Sequence, residues 1–239
     1  MLTQYLDETR RLLQNPPAPV TLFSDADLTA FINTSRGILA GEVECIRVLG
    51  TLALSAPTRS YALSAADIGV SATTGINTPF KANQATVDVG DGEMPLMSKP
   101  WAWFQSYLLG EVIPTEGQPT TWAQLKQGIA ATLYFYPLPD TTFTVNLDCV
   151  CEPIDLTDNN TVEAIPYPFT DAVPFLAAYY AYMSVQRQDH ADTMMTRYRD
   201  ELTKGRATST PAVLPTNYSQ IPDPTIINKL GLPSNRGGQ

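Results

Sequence analysis

Proline placement constrains what this chain can fold into. The 20 prolines gather near residues 16–19, at 137–139, at 166–174 and after 210. Each ring fixes φ and removes a backbone donor, so neither a helix interior nor a central strand runs easily through those points. The joints of the structure are expected there, with regular elements between them.

Helical spacing dominates both sides of a β-rich middle. Leu2, Tyr5, Leu6, Thr9, Leu12 and Leu13 share a face before Asn15-Pro16-Pro17 stops the first helix. Ser24 and Asp27 form a capping signal, and Phe23 can staple across to Leu28, so a second helix starts there. Leu28, Phe31, Ile32, Ser35, Leu39, Glu42, Ile46 and Leu49 then trace one face of a single long helix. Gly37 and Gly41 weaken it slightly or admit another helix at close range. After Pro166 and Pro168, Val173, Leu176, Ala177, Tyr180, Met183, Ser184 and Arg187 share a face, with Pro174 tolerated in the first turn. Ala177, Ala178 and Ala181 are small enough for close helix contact. A break near Asp189, where Asp189 and Asp192 resemble a capping pair, precedes Ala191, Met194, Met195, Tyr198 and Leu202 on a helix expected to end near Gly205.

The middle changes texture. Thr51–Leu54, Ser60–Ser64 and Ala85–Val89 read as strands, 69–84 as a loose stretch, and Trp101–Phe104 as a short helix. Thr132–Tyr136 and Phe143–Cys151 are the strongest strands, and the Pro137-Leu138-Pro139-Asp140 turn between them predicts a β-hairpin. Helices at both ends must cover each other's apolar stripes. The expectation is an α+β protein: a bundle of about four helices from residues 1–49 and 166–207, an inserted antiparallel β domain over 50–165, and an extended C-terminal arm over 208–239.

The arm is the most informative tract. Its prolines favour extension, yet it holds Leu214, Tyr218, Ile221, Ile226, Ile227, Leu230 and Leu232. Asp223 can cap a short helix that starts with Pro224 and ends at Gly231, with Ile227 and Leu230 on one face. Lys229 and Arg236 against Asp223 give the arm +1, so a chain of net −9 has a body of −10. An apolar, slightly basic arm on an acidic body suits docking, either on another subunit or back over its own body. Those seven apolar residues are the candidate docking anchors.

Motifs for chemistry are sparse. His190, the one histidine, sits in a polar stretch beside Arg187 and Asp189, which favours a solvated or capping role over a catalytic one. Cys149 and Cys151 fall on one face of a strand as apolar residues, and three cysteines make no disulfide framework. Asp88-Val89-Gly90-Asp91-Gly92-Glu93 lacks the alternation of a calcium loop and reads as a polar hairpin turn. Trp101, Trp103, Phe104 and Trp122 either line a sugar or peptide groove or pack the β insert on the bundle. Arg197, Arg199, Lys204 and Arg206, interrupted by Asp200 and Glu201, read as a solvated helix face. No phosphate-binding or nucleophile-elbow motif occurs, so no catalytic residue, metal or cofactor is assigned and no enzyme is expected. Net charge −9 removes whole-chain steering toward nucleic acid. With no apolar span of membrane length and acids at Asp7 and Glu8 where a signal peptide is basic, the chain is expected to be made and kept in a cytosol.

Several tracts in order resemble a known family: Thr9–Leu13, Leu22–Leu28, Ser60–Leu63, Tyr134–Asp140 and Tyr167–Pro174. The pattern is similar to that of bacteriophage head-to-tail adaptor (connector) proteins of short-tailed phages. That resemblance implies a structural virion protein at the head–tail junction, synthesised in the host cytoplasm. It implies a dodecameric ring of copies of the chain, a C-terminal extension gripping the portal protein, and a tail nozzle or tail-tube protein on the other side. It further implies a channel through which DNA passes without sequence-specific binding. Other readings are a tail-tube or stopper subunit, or a cytosolic ligand-binding module using the tryptophans.

Overall fold

A computed structural model describes residues 1–15, 22–65, 69–70, 72–90, 92–107 and 115–209. The chain is an α+β protein in which helices from its two ends enclose one another and a two-sheet β region lies between them in sequence.

The first helix, α1, spans Leu2–Leu13 and buries Leu2, Tyr5, Thr9 and Leu13, the face set by its 3–4 spacing. Asn15 then clamps the returning chain: its side-chain oxygen accepts from Leu22 N (2.7 Å) and Phe23 N (3.3 Å), and its amide donates to Phe23 O (3.0 Å). The second helix, α2, spans Asp25–Val43. Ser24 and Asp27 exchange side-chain and backbone bonds as a capping box, and Phe23 and Leu28 meet in one apolar cluster as the staple requires. The bond from Ser24 holds the Asp27 carboxyl below the usual carboxylate range.

The long helix expected through Ile46 and Leu49 ends earlier. Glu44 adopts a left-handed conformation (φ 54°) and stops α2, and the first strand, β1, runs Arg47–Leu54. Glu44 is held there by Lys81 (2.5 Å) and Asn83 (3.0 Å) from the sheet, and those bonds lower its pKa. Side chains thus supply a helix stop that no glycine marks.

Seven further strands follow: β2 (Ser60–Ala62), β3 (Ile76–Asp88), β4 (Glu93–Pro95), β5 (Met97–Ser98), β6 (Thr121–Leu125), β7 (Thr132–Tyr136) and β8 (Phe143–Pro153). The tract 69–84, expected to be loose, contributes over half of the 13-residue β3, with register shifts near Pro79 and Ala82. One sheet has the order β1-β8-β3-β4 and is antiparallel; the other has the order β2-β7-β6-β5, with β5 parallel to β6. The expected hairpin does not form. Thr132–Tyr136 pairs with β2 and β6, whereas Phe143–Pro153 pairs with β1 and β3, so Pro137–Asp140 crosses between sheets. Both strands bury alternate residues in a common core: Leu133 and Phe135 from one sheet, Val145, Leu147 and Cys149 from the other. Gln124 of β6 bridges the sheets by accepting from Ala82 N at 2.9 Å.

The third helix, α3 (Trp101–Tyr107), lies on the second sheet. The fourth, α4 (Val173–Ser184), is central to the bundle: it packs on α1, α2 and the last helix, α5 (Gln188–Ser209). Ala177, Ala178 and Ala181 are fully buried there, as their size predicted. Helix α5 runs past Gly205, against which the Phe169 ring is seated so closely that an added Cβ would lie 3.0 Å from it. Thr208 therefore belongs to the helix, not to an arm. One continuous core joins helix residues such as Ile32, Leu39 and Leu176 to those of both sheets.

Candidate functional site

The seven arm anchors, Leu214, Tyr218, Ile221, Ile226, Ile227, Leu230 and Leu232, lie outside the described residues. The structure does place the point from which that tract leaves. Near the end of α5, Arg206 donates to Glu42 O (3.4 Å) and pairs with the Glu42 carboxylate (3.7 Å), so α5 finishes beside the C-terminal end of α2. Tyr198 anchors the same corner by donating to Glu42 Oε2 at 2.8 Å; burial and that bond push its phenol up.

Helix α2 is unusual for a surface helix. Between Asp27 and Glu42 its one charged residue is Arg36, and Arg36 is fully buried. Ala26, Ala30, Thr34, Ile38 and Gly41 are exposed and share one side of the helix with the half-buried Thr29, Asn33 and Gly37. An open groove of about 850 Å³ runs along that side, between Ala26–Thr34 and the 155–157 segment, with Leu2 and Leu6 of α1 at one end. A second depression continues it past Asn33 and Gly37 toward Asn77 and Glu152. Asn33 fixes the far wall, accepting from Leu156 N (2.9 Å) and donating to Leu156 O (3.1 Å). A Cβ added at Gly37 or Gly41 meets no atom within 4 Å, so nothing among the described residues approaches α2 there.

Arg36 itself was not singled out from the sequence, although a lone charge in an uncharged helical stretch was its signal. Its Nη2 and Nε reach Glu163 at 2.8 and 3.0 Å, and Nη1 donates to Ile154 O (2.7 Å) and Asn33 Oδ1 (3.2 Å). Glu163, 8% exposed at its side chain, also accepts from Ile165 N at 2.9 Å. The cluster ties α2 to the connection between β8 and α4. Burial, and next the Glu163 carboxylate, push the Tyr5 phenol up.

The other sequence candidates disperse. Exposed His190 lies in the first turn of α5, its ring 5.2 Å from that of Tyr182. Cys149 and Cys151 are buried in β8; burial pushes the Cys149 thiol up to about 12 and those of Cys151 and Cys45 up to about 11. Among the described residues no group of three histidine, cysteine or acidic side chains is placed to hold a metal ion. Trp122 joins the main core, whereas Trp101, Trp103 and Phe104 pack with Tyr134 and Tyr136 in a separate cluster, so the four aromatics do not converge on one groove. On either side of the acidic 88–93 tract β3 and β4 pair antiparallel, with Asp88 opposite Glu93. Arg197, Arg199 and Lys204 are exposed, Lys204 beside Glu201 at 2.6 Å. Among the described residues no helix is long and apolar enough to cross a membrane.

The outer face of the first sheet forms a shallow concavity of small and polar residues: Thr51, Asn146, Thr86 and Gln84, with Leu49 79% exposed at its rim. Alternation produces it, since Leu52, Val145 and Val87 fill the opposite, inner face.

No family model matches the chain, and no curated protein matches it. Among solved structures, it is similar to a chain described as "Neck of empty GTA particle computed with C6 symmetry". The two are 16% identical, the match covers 74% of this chain and 76% of that one, and the TM-score is 0.26.

Proposed function

We propose that this chain is a structural subunit of a bacteriophage virion, a head-to-tail adaptor that assembles as a ring between portal and tail. In this reading it works mechanically and catalyses no reaction of its own. The observation that carries the reading is the contrast between the folded body and the tract that follows it in sequence. Helices α1 and α2 close one bundle with α4 and α5, and residues 210–239, next in sequence, bring an apolar anchor set and net +1 to a body of −10. The ordered sequence tracts that resemble head-to-tail adaptors support the same assignment.

The arm would dock on the portal through Leu214, Tyr218, Ile221, Ile226, Ile227, Leu230 and Leu232, each fully buried large side chain contributing roughly 1.5–3 kcal/mol. Identical copies form the ring, twelve as the resemblance implies, with the β region toward the tail. The acidic body suits a conduit in which DNA slides without counterion-releasing contacts.

The test uses the full chain and portal rings from the same phage. Ile227→Asp with Leu230→Asp, and separately Leu214→Asp with Tyr218→Asp, should abolish co-sedimentation with the portal while circular dichroism shows the body still folded. Undiminished co-sedimentation of both variants would remove the arm from the mechanism.

A further inference from the structure

From Ala26 to Thr34 the α2 wall of the groove is made of small, uncharged side chains where a solvated helix carries charge, and nothing among the described residues comes within 4 Å of a Cβ placed at Gly37 or Gly41. Its occupant can be argued from where the chain goes next. We propose that this groove is the resting berth of the protein's own C-terminal segment, residues 223–232.

Reach comes first. Helix α5 ends beside Glu42, at one end of α2, and the chain then has residues 210–222 before the segment begins. Those residues span up to about 43 Å at roughly 3.3 Å each. The distance back along α2 from Glu42 to Ala26 is about 24 Å at 1.5 Å per residue. The segment can therefore lie along α2 of its own subunit without strain.

Size and shape agree. Asp223-Pro224 to Gly231 reads as a helix about 13 Å long, and the lined stretch from Ala26 to Gly37 is about 16 Å. Ile227 and Leu230 project from one face of such a helix, and Ala26, Ala30 and Gly37 leave room for them: large side chains on the guest meet small ones on the host. Charge does not oppose it: Glu152 and Asp155 stand along the groove with Asp25, which Arg10 pairs, whereas the segment carries Asp223 and Lys229, net zero, with Arg236 following it.

The berth does not depend on the adaptor reading. If that reading holds, the same apolar anchors serve two sites in turn, and an isolated subunit keeps them covered until a portal takes them.

Trypsin cleavage after Lys229 in the folded full-length protein reads the berth directly, because cutting follows the population of the undocked segment. The variant Ala30→Gln with Gly37→Gln fills the groove with larger side chains and adds no trypsin site; glutamine costs little against alanine and gains against glycine in helix propensity, so α2 survives, as circular dichroism would verify. Cleavage after Lys229 should become at least roughly tenfold faster in the variant than in the natural chain. Equal rates would overturn the proposal. The natural rate should also hold across roughly a hundredfold dilution; protection that fades on dilution would place the segment in a neighbour's groove and overturn the own-chain assignment. No portal enters this experiment, so its failure and that of the adaptor reading are separable.

Discussion

Replacing Glu163 with alanine removes the carboxylate that neutralises Arg36, a fully buried guanidinium. In the natural chain Arg36 makes two bonds to Glu163 (2.8 and 3.0 Å) and two more to Ile154 O and Asn33, so its charge and most of its donors are satisfied. Without Glu163 the charge stays buried with neutral partners only, and Ile165 N loses its acceptor. Breaking one side of a buried pair costs about 3–5 kcal/mol. For a chain of this size each kcal/mol moves the melting temperature by roughly 2–4 °C, so the expected fall is about 6–20 °C. Arg36→Met should fall in the same range, because it leaves Glu163 nearly buried and Ile154 O without its donor. The double variant, Arg36→Met with Glu163→Leu, should lose far less than the sum of the two, since neither charge is then desolvated. Denaturant titration of the four proteins measures all of this in one double-mutant cycle. A Glu163→Ala cost below about 1 kcal/mol, or strict additivity in the cycle, would refute the reasoning.

Other outcomes follow from single residues. Gly75 has φ 72°, and a Cβ there would sit 2.3 Å from Val162 O; Gly75→Ala should cost about 2 kcal/mol or more by denaturant titration, and a neutral result would contradict the packing of β3 on the 162–164 segment. Gly205→Leu should destabilise by about 1–3 kcal/mol despite better helix propensity, because the Phe169 ring occupies the space; a rise in melting temperature would contradict that contact. The three thiols are raised to about 11–12, and the Tyr5 and Tyr198 phenols are raised as well. A raised folded pKa gives stability that is complete below the unfolded value and is lost as pH rises, so the melting temperature should hold at about pH 8 and decline above about pH 9. A flat profile to about pH 10.5 would contradict it, as would rapid alkylation of the native thiols at about pH 8.

Starts were legible in the sequence, and so was the stop of α1 before Asn15-Pro16-Pro17, but the stops of α2 and α5 were not. The Ser24–Asp27 box and the Phe23–Leu28 staple announce α2 because capping is local chemistry. Its end at Val43 depends on Lys81 and Asn83, some 40 residues away, holding Glu44, so apolar periodicity ran on into β1. Strand pairing hides for the same reason. Thr132–Tyr136 and Phe143–Cys151 both alternate cleanly, but alternation fixes which face is buried, not which strand is the neighbour. Here the partners of β8 are β1 and β3, with Arg47 of β1 opposite Val150. The proposed arm anchors were read from composition alone, and Arg36 passed unnoticed because its burial is decided by Glu163 and Ile154 from the far side of the β region. The bare side of α2 needed coordinates: in sequence, Ala26, Ala30 and Thr34 look no different from core positions.

The most direct test of the central claim is size-exclusion chromatography with light scattering on the full-length protein, alone and mixed with portal rings from the same phage. The adaptor account predicts that the protein moves into the portal-sized fraction at a fixed number of copies per ring. A protein that elutes unchanged in the presence of intact portal rings would contradict it.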